Sequence, residues 1–233
     1  MNKEIFKINN IPAILWGEKS AKLIIAVHGN MSNKADVPIE MLANVATNRG
    51  YQVISFDLPQ HGDRKGEDTL CKVVPCVNDL TEVIKYAKSK WQNISLFANS
   101  IGAYFSLLAY KNEDLQHAWF LSPVVDMNRL ISNMMMWFNV SEEKLKQEKE
   151  VPTPIGQTLY WDYYCYVKEN PIEKWDVNTH ILYGEKDDTC EFDTIKNFTE
   201  RFNCDLKVVL GGEHYFHTEE QLEILEDWLD KAI

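Results

Sequence analysis

Short apolar runs alternate with helix-like segments along most of this chain, and this alternation constrains the fold more than any other feature. The runs are continuous, which is typical of strands that are covered on both faces. They lie at residues 22–27, 51–56, 94–98, 117–121, 179–183 and 206–210. Segments with helical periodicity lie near residues 36–48, 73–90, 101–110, 191–202 and 218–231. The pattern predicts an α/β domain with a mostly parallel sheet and helices on both faces.

Two segments depart from this rhythm. Residues 4–9 and 11–16 indicate two short strands that form an antiparallel edge. Between residues 124 and 170 the alternation stops, and the sequence is helical in propensity and rich in Met, Trp and Tyr, with a charged segment and Pro152-Thr153-Pro154 dividing it. Because this segment is too long for a simple crossover, we predict a small helical lid at 124–170, inserted into a core formed by 1–123 and 171–233.

Composition excludes some classes of partner. The formal net charge of −11 argues against nucleic acid or an anionic membrane, since both require basic patches. The sequence contains no apolar run near the roughly 18 residues of a membrane span and no signal-peptide core at its start, so a cytoplasmic protein is expected. The 5 cysteines show no paired spacing and are expected to be reduced, packed thiols rather than a metal site or a disulfide framework.

Ser100 lies where a strand-like run changes abruptly into a helix-like one. A serine at such a turn stands above the sheet edge, and the N-terminus of the following helix directs free N–H groups towards its target. Gly102 supplies one small neighbour, whereas Ala98 stands where the pattern G-x-S-x-G has glycine. A buried serine at an ordinary strand–helix turn fits this stretch equally well.

The ends of three predicted strands bring together residues suited to nucleophilic catalysis. Ligands of open α/β sheets bind beyond the carboxyl ends of the strands. Ser100 follows one such end, Asp187 or Asp188 follows another, and His214 follows the last. A serine needs a base within reach, and that base needs a carboxylate to hold its tautomer. Asp188 is also suited to capping the next helix, and the choice between the two aspartates stays open at this point. His214 is preferred over His217 because it directly follows the glycine pair at the strand end, whereas His217 suits a solvated or capping position.

In these features the chain resembles the α/β-hydrolase fold family, whose triads run in the order Ser, Asp, His. The resemblance covers nearly the whole length. It rests on five motifs: Ala98-Asn99-Ser100-Ile101-Gly102, His28-Gly29, Asp57-Leu58-Pro59-Gln60-His61-Gly62, Tyr183-Gly184-Glu185-Lys186-Asp187 and Gly212-Glu213-His214. It implies an α/β-hydrolase fold in which Ser100, Asp187 and His214 form the catalytic triad.

The resemblance also implies an oxyanion hole built from two backbone N–H groups. One belongs to Ile101, and the other to the loop after His28-Gly29, with Asn30 preferred over Met31. No cofactor or metal is implied. If the insertion covers the site, Trp137, Phe138, Tyr160 and Trp161, together with Met31, are candidates for an apolar acyl or leaving-group pocket. Ordinary packing is the alternative role for these side chains.

The function expected from these residues is that of a serine hydrolase acting on a small or medium acyl or aryl ester. Thioesters, amides and peptides are alternative substrates, because the same triad cleaves them. A hydrolase-like binding protein without catalytic activity is the alternative from another functional class. In that case Ala98 would reflect loss of the catalytic motif. The expected partner is a small-molecule ester, and the sequence leaves the oligomeric state open.

Overall fold

The computed structural model describes all residues from 1 to 233. The strands are β1 Lys3–Ile8, β2 Ile11–Trp16, β3 Lys22–Val27, β4 Tyr51–Phe56, β5 Asn93–Asn99, β6 Ala118–Leu121, β7 Glu150–Pro152, β8 Thr158–Tyr160, β9 Thr179–Gly184 and β10 Asp205–Val209. The α-helices are α1 Val37–Asn48, α2 Val73–Lys88, α3 Ile101–Ala109, α4 Met127–Trp137, α5 Glu142–Glu148, α6 Trp161–Glu169, α7 Phe192–Phe202 and α8 Glu219–Ala232. None of these helices combines the length and the apolar character that crossing a membrane requires.

Eight strands form one sheet in the order β1-β2-β4-β3-β5-β6-β9-β10. The strand pairs β1–β2 and β2–β4 are antiparallel, and every other pair in the sheet is parallel. The mostly parallel sheet and its antiparallel edge, both predicted from the apolar runs, are therefore confirmed. Because β4, β3, β5, β6, β9 and β10 run in one direction, their carboxyl ends meet at one edge of the sheet, where the candidate residues lie.

Alternate residues of the central strands pack into two separate cores. In β3, Leu23, Ile25 and Val27 join the core under α2 and α3. Ile24 and Ala26 join the second core, under α1 and α8. This alternation follows from the two-residue period of a strand, and the apolar character of all five residues reflects the helices that cover both faces.

The insertion between β6 and β9 contains α4, α5, α6 and a small antiparallel hairpin made of β7 and β8. The prediction for this segment included helices but no hairpin. The Thr153 N–H and hydroxyl both donate to the Gln157 carbonyl, at 2.8 and 2.7 Å, and Gly156 has a φ of 78°. The segment Pro152-Thr153-Pro154 therefore leads into the turn between β7 and β8, because proline residues cannot continue a helix.

Candidate active site

Ser100 occupies a strained turn between β5 and α3. Its φ of 51° and ψ of −120° are uncommon for a residue with a side chain. The surrounding contacts impose this conformation: the Ser100 N–H donates to the Leu121 carbonyl at 3.0 Å, and its own carbonyl accepts from the Val124 N–H at 3.1 Å. Hydrogen bonds to β6 and to the loop that follows it therefore hold the turn, in which Ser100 is 9% exposed.

Two glycines allow the backbone to approach this turn closely. A Cβ atom at Gly102 would stand 2.5 Å from the His28 carbonyl oxygen, and one at Gly29 would stand 3.2 Å from the Ser100 Cβ. Ala98, where the common pattern has glycine, lies fully buried in β5. The position of this turn that has no room for a methyl group is thus Gly102, whereas position 98 carries the methyl group of alanine.

A chain of hydrogen bonds links Ser100 to His214 and Asp187. The Ser100 Oγ lies 2.8 Å from the His214 Nε2, and the His214 Nδ1 lies 2.8 Å from the Asp187 Oδ2. Because the Asp187 carboxylate accepts the Nδ1–H, Nε2 is left free to accept the Ser100 hydroxyl proton. The geometry is that of a nucleophile, a base and the group that orients the base.

The Asp187 carboxylate is fully buried, and the chain that follows it satisfies its second oxygen. Its Oδ1 accepts from the backbone N–H groups of Thr189 and Cys190, at 2.9 and 2.8 Å. These bonds stabilise a buried charge and direct Oδ2 towards His214.

The alternatives that the sequence left open lie elsewhere. Asp188 is exposed and accepts from the Thr189 hydroxyl at 3.3 Å. His217 stacks on Tyr215, and its Nδ1 lies 2.8 Å from the Tyr215 carbonyl. Of the two aspartates and the two histidines considered, the structure brings Asp187 and His214 together with Ser100.

The loop after β3 contains the candidate oxyanion donors. The N–H groups of Asn30 and Ile101 make no hydrogen bond within the protein. The Met31 N–H, by contrast, donates to the Nε2 of His61 at 3.1 Å, and Met31 has a φ of 59°. Since the Met31 donor is already engaged, the geometry favours Asn30 over Met31 as the partner of Ile101.

Two histidines hold this loop against the loop that follows β4. His28 accepts the Leu58 N–H at Nε2, at 3.0 Å, while its Nδ1 contacts the Gly29 carbonyl at 2.7 Å. Burial lowers the pKa of His28 to about 4, so its ring stays neutral. His61 contacts the Pro59 carbonyl through Nδ1 at 2.8 Å and thereby directs Nε2 towards Met31.

A buried lysine ties the same two loops together. The Lys34 Nζ lies 2.5 Å from Asp57 Oδ2 and 2.7 Å from Asp63 Oδ2, and its backbone N–H donates to Asp57 Oδ1 at 2.9 Å. The Asp57 side chain is fully buried, and its pairing with Lys34 offsets its desolvation. Nothing in the sequence around Lys34 distinguished this lysine from a solvated one.

One cluster near the site has residue types that bind metals. Asp187, Cys190 and His214 offer ligand atoms that lie within 4.8 Å of one another. Burial, with the Asp187 charge second, raises the pKa of the Cys190 thiol, which keeps it protonated and a poor ligand. The hydrogen bond between Asp187 and His214 explains why the other two groups of this cluster lie close together.

The aromatic residues proposed for the pocket all lie in or beside the insertion. Trp137 is 49% exposed at the end of α4, and Phe138 is partly buried and packs against the core under α2 and α3. Tyr160 lies under the Lys72 ammonium, 3.9 Å from its ring centre, and Trp161 packs on Tyr164 at 5.9 Å. Met31, by contrast, is 86% exposed on the loop after β3.

Comparison with known proteins gives similarity at the level of structure. No protein-family profile matches the chain. No curated protein sequence matches it either. Solved structures do match, over nearly the full length of both chains and at low sequence identity.

Three of these structures are informative. Est1E from Butyrivibrio proteoclasticus with ferulic acid bound is 19% identical, with a TM-score of 0.79, covering 98% of this chain and 96% of that one. Mouse alpha/beta hydrolase domain-containing protein 10 is 16% identical, with a TM-score of 0.78 and coverages of 99% and 98%. An esterase of Pyrococcus furiosus is 18% identical, with a TM-score of 0.69 and coverages of 99% and 88%. At these identities the similarity establishes the fold.

Proposed function

The chain has the α/β-hydrolase fold, and on that premise we propose that it is a serine hydrolase that cleaves carboxylic esters. The observation that carries the proposal is the continuous hydrogen-bond chain from Ser100 through His214 to Asp187, with 2.8 Å at each link. The three residues come from turns after β5, β9 and β10, far apart in the chain. Such an arrangement needs a serine, a base and a buried acid to coincide at one edge of the sheet, which argues against a chance contact.

The proposed reaction uses only groups of this chain. Ser100 attacks the ester carbonyl while His214 Nε2 takes its proton, and the buried Asp187 carboxylate stabilises the imidazolium. The N–H groups of Asn30 and Ile101 donate to the oxyanion, and each such donor contributes about 3 kcal/mol in other hydrolases. His214 then protonates the leaving alcohol, and water activated by the same ring releases the acid from the acyl-enzyme.

Small or medium acyl or aryl esters are the proposed substrates. The insertion contains four aromatic residues, Trp137, Phe138, Tyr160 and Trp161. We assign it the role of a lid whose aromatic rings contact the substrate. The ferulic acid bound to Est1E is an aromatic carboxylic acid, the product class that is released when the ester of an aromatic acid is hydrolysed. The esterase name of the Pyrococcus furiosus structure favours ester substrates over amides.

The first prediction concerns the nucleophile. Ser100→Ala should abolish turnover of p-nitrophenyl acetate and butyrate, and it should abolish labelling by a fluorophosphonate probe, because both require the activated hydroxyl. Ser122→Ala is the matched control, since the Ser122 hydroxyl is buried beside β6 and has no hydrogen-bond partner. Thermal unfolding should show that both variants remain folded.

The outcomes separate the candidate functions. Labelling and turnover that persist in Ser100→Ala would refute the assignment of the nucleophile. A folded parent protein that neither reacts with the probe nor cleaves any ester would favour the non-catalytic binding protein. A panel of esters, thioesters and amides with matched acyl chains would then rank the bond types, and esters are expected to be cleaved fastest.

A further inference from the structure

Cys71 and Cys76 form a pair of thiols near the candidate site. Their sulfur atoms lie 3.6 Å apart, and all five cysteines of the chain are free. Cys71 precedes the N-cap residue Lys72 of α2, and Cys76 lies in the first turn of that helix. Two apolar residues often contact each other at these positions, so packing alone would explain their proximity.

Exposure and neighbours distinguish this pair from a packing contact. Cys71 is partly exposed, whereas Cys76 is fully buried. Burial lowers the pKa of the nearby His61, but interactions with Cys71 and Pro59 outweigh that effect, so the pKa of His61 is raised. A partly solvent-accessible thiol in contact with a second thiol is the arrangement found at redox-sensitive cysteines.

The two thiols differ in acidity: the pKa of Cys71 is lowered and that of Cys76 is raised, as expected for a reactive thiol beside a protonated partner. The contact with Cys76, and secondarily with His61, outweighs burial and lowers the pKa of Cys71 to about 6. Burial raises the pKa of Cys76, which therefore stays protonated. Cys204 has a similar partial exposure, but burial raises its pKa to about 11. Cys71 is thus the thiolate of the pair.

We propose that Cys71 and Cys76 are a dithiol site that hydroperoxides oxidise to an intramolecular disulfide. The Cys71 thiolate attacks hydrogen peroxide, an S–O bond forms as the O–O bond breaks, and the departing hydroxide takes a proton to become water. The Cys76 sulfur then attacks the Cys71 sulfenic acid, the S–S bond forms as the S–O bond breaks, and a second water leaves with the Cys76 proton. Two thiols lose two electrons in total, and one peroxide is reduced to two waters.

The geometry requires only a short movement. A disulfide needs a sulfur–sulfur distance of about 2.05 Å, so the gap must close by about 1.5 Å. Cys71 lies in the segment before the helix and is the partner that can move, whereas Cys76 is fixed in the buried first turn.

Peptide mapping after peroxide treatment tests the proposal independently of hydrolase activity. The reduced protein is treated with hydrogen peroxide, free thiols are alkylated, and the digest is analysed by mass spectrometry. Trypsin cleaves after Lys72 and so separates the two cysteines, which makes their disulfide visible as two linked peptides. We expect this linked species to dominate, and Cys71 to react at least about tenfold faster than Cys204.

Three variants make the outcome decisive. Cys76→Ser should stop the reaction at a Cys71 sulfenic acid that dimedone traps, Cys71→Ser should abolish the linked species, and Cys204→Ser should behave like the parent protein. Thermal unfolding of each reduced variant checks that it is folded. Oxidation spread evenly over the five cysteines, or a Cys76→Ser protein that dimedone does not label at Cys71, would overturn the proposal.

Discussion

The hydrogen bonds of Asp187 show how one side chain can be confined to a single role. Two backbone N–H groups hold its Oδ1, and only Oδ2 remains for His214. A buried carboxylate without hydrogen-bond partners would be costly. At the residue scale, the turn between Asp187 and Cys190 therefore provides partners for the buried acid and fixes the direction in which it acts.

The prediction at this scale compares two neighbouring aspartates. Asp187→Asn should lower kcat for p-nitrophenyl butyrate by about 10⁴-fold, because an amide directed at His214 Nδ1 favours the tautomer that cannot accept the serine proton. Asp188→Asn should retain near-parental turnover, since Asp188 is exposed and contacts Thr189. Steady-state kinetics on folded variants measures both effects. A reversed pattern, with Asp188→Asn inactive, would transfer the role of the acid to Asp188.

At the scale of elements, the turn from β5 into α3 depends on one missing methyl group. Gly102→Ala should lower the free energy of unfolding by about 1–3 kcal/mol, because its Cβ would stand 2.5 Å from the rigid His28 carbonyl. Turnover should fall as well, since relief of the clash moves the turn that carries Ser100. Urea unfolding and kinetics together measure the two effects.

Ala98→Gly is the matched control for that substitution, two residues before Ser100 rather than two after it. It introduces the glycine of the common pattern into a strand, so it should change stability by no more than about 1 kcal/mol and preserve turnover. If Gly102→Ala proved as stable and active as the parent protein, the close approach of α3 to the loop after β3 would have no energetic importance.

Periodicity predicted most elements well, because it reflects local burial. The predicted bounds of β2, β3 and β4 agree with the structure, whereas α2 ends at Lys88 rather than at residue 90. Ser89 and Lys90 still donate hydrogen bonds to the last helical carbonyls, so the helix loosens gradually there. The hairpin of β7 and β8 was not predicted, since its strands are three residues long and their pairing depends on the turn around Gly156.

At the scale of the whole molecule, the direction of the strands in the sheet determines which site residues could be predicted from the sequence. Residues after strand ends were predictable candidates, because parallel strands bring those ends to one edge. Ser100, His214 and Asp187 lie within hydrogen-bond distance as expected, and their catalytic roles stay a prediction. The pairing of Lys34 with Asp57 was not predictable, because it depends on how two loops face each other.

The buried imidazole of His28 should make the stability of the whole protein depend on pH. Its native pKa of about 4 lies below the unfolded value of about 6.5, so between these values the unfolded state binds a proton that the native state does not. The free energy of unfolding is therefore unaffected by this group above about pH 6.5 and falls as the pH drops towards 4. The full difference corresponds to about 3 kcal/mol.

Urea unfolding of the parent protein and of His28→Gln at pH 7.5 and 4.5 isolates this contribution. Glutamine can still accept the Leu58 N–H that His28 now accepts, but it does not titrate. We expect the variant to be less stable at pH 7.5 and to lose less stability on acidification, by about 2 kcal/mol, because the carboxylates titrate in both proteins and cancel. Equal losses in the two proteins would mean that His28 is protonated in the native state, and that a charged ring can be accommodated between the two loops.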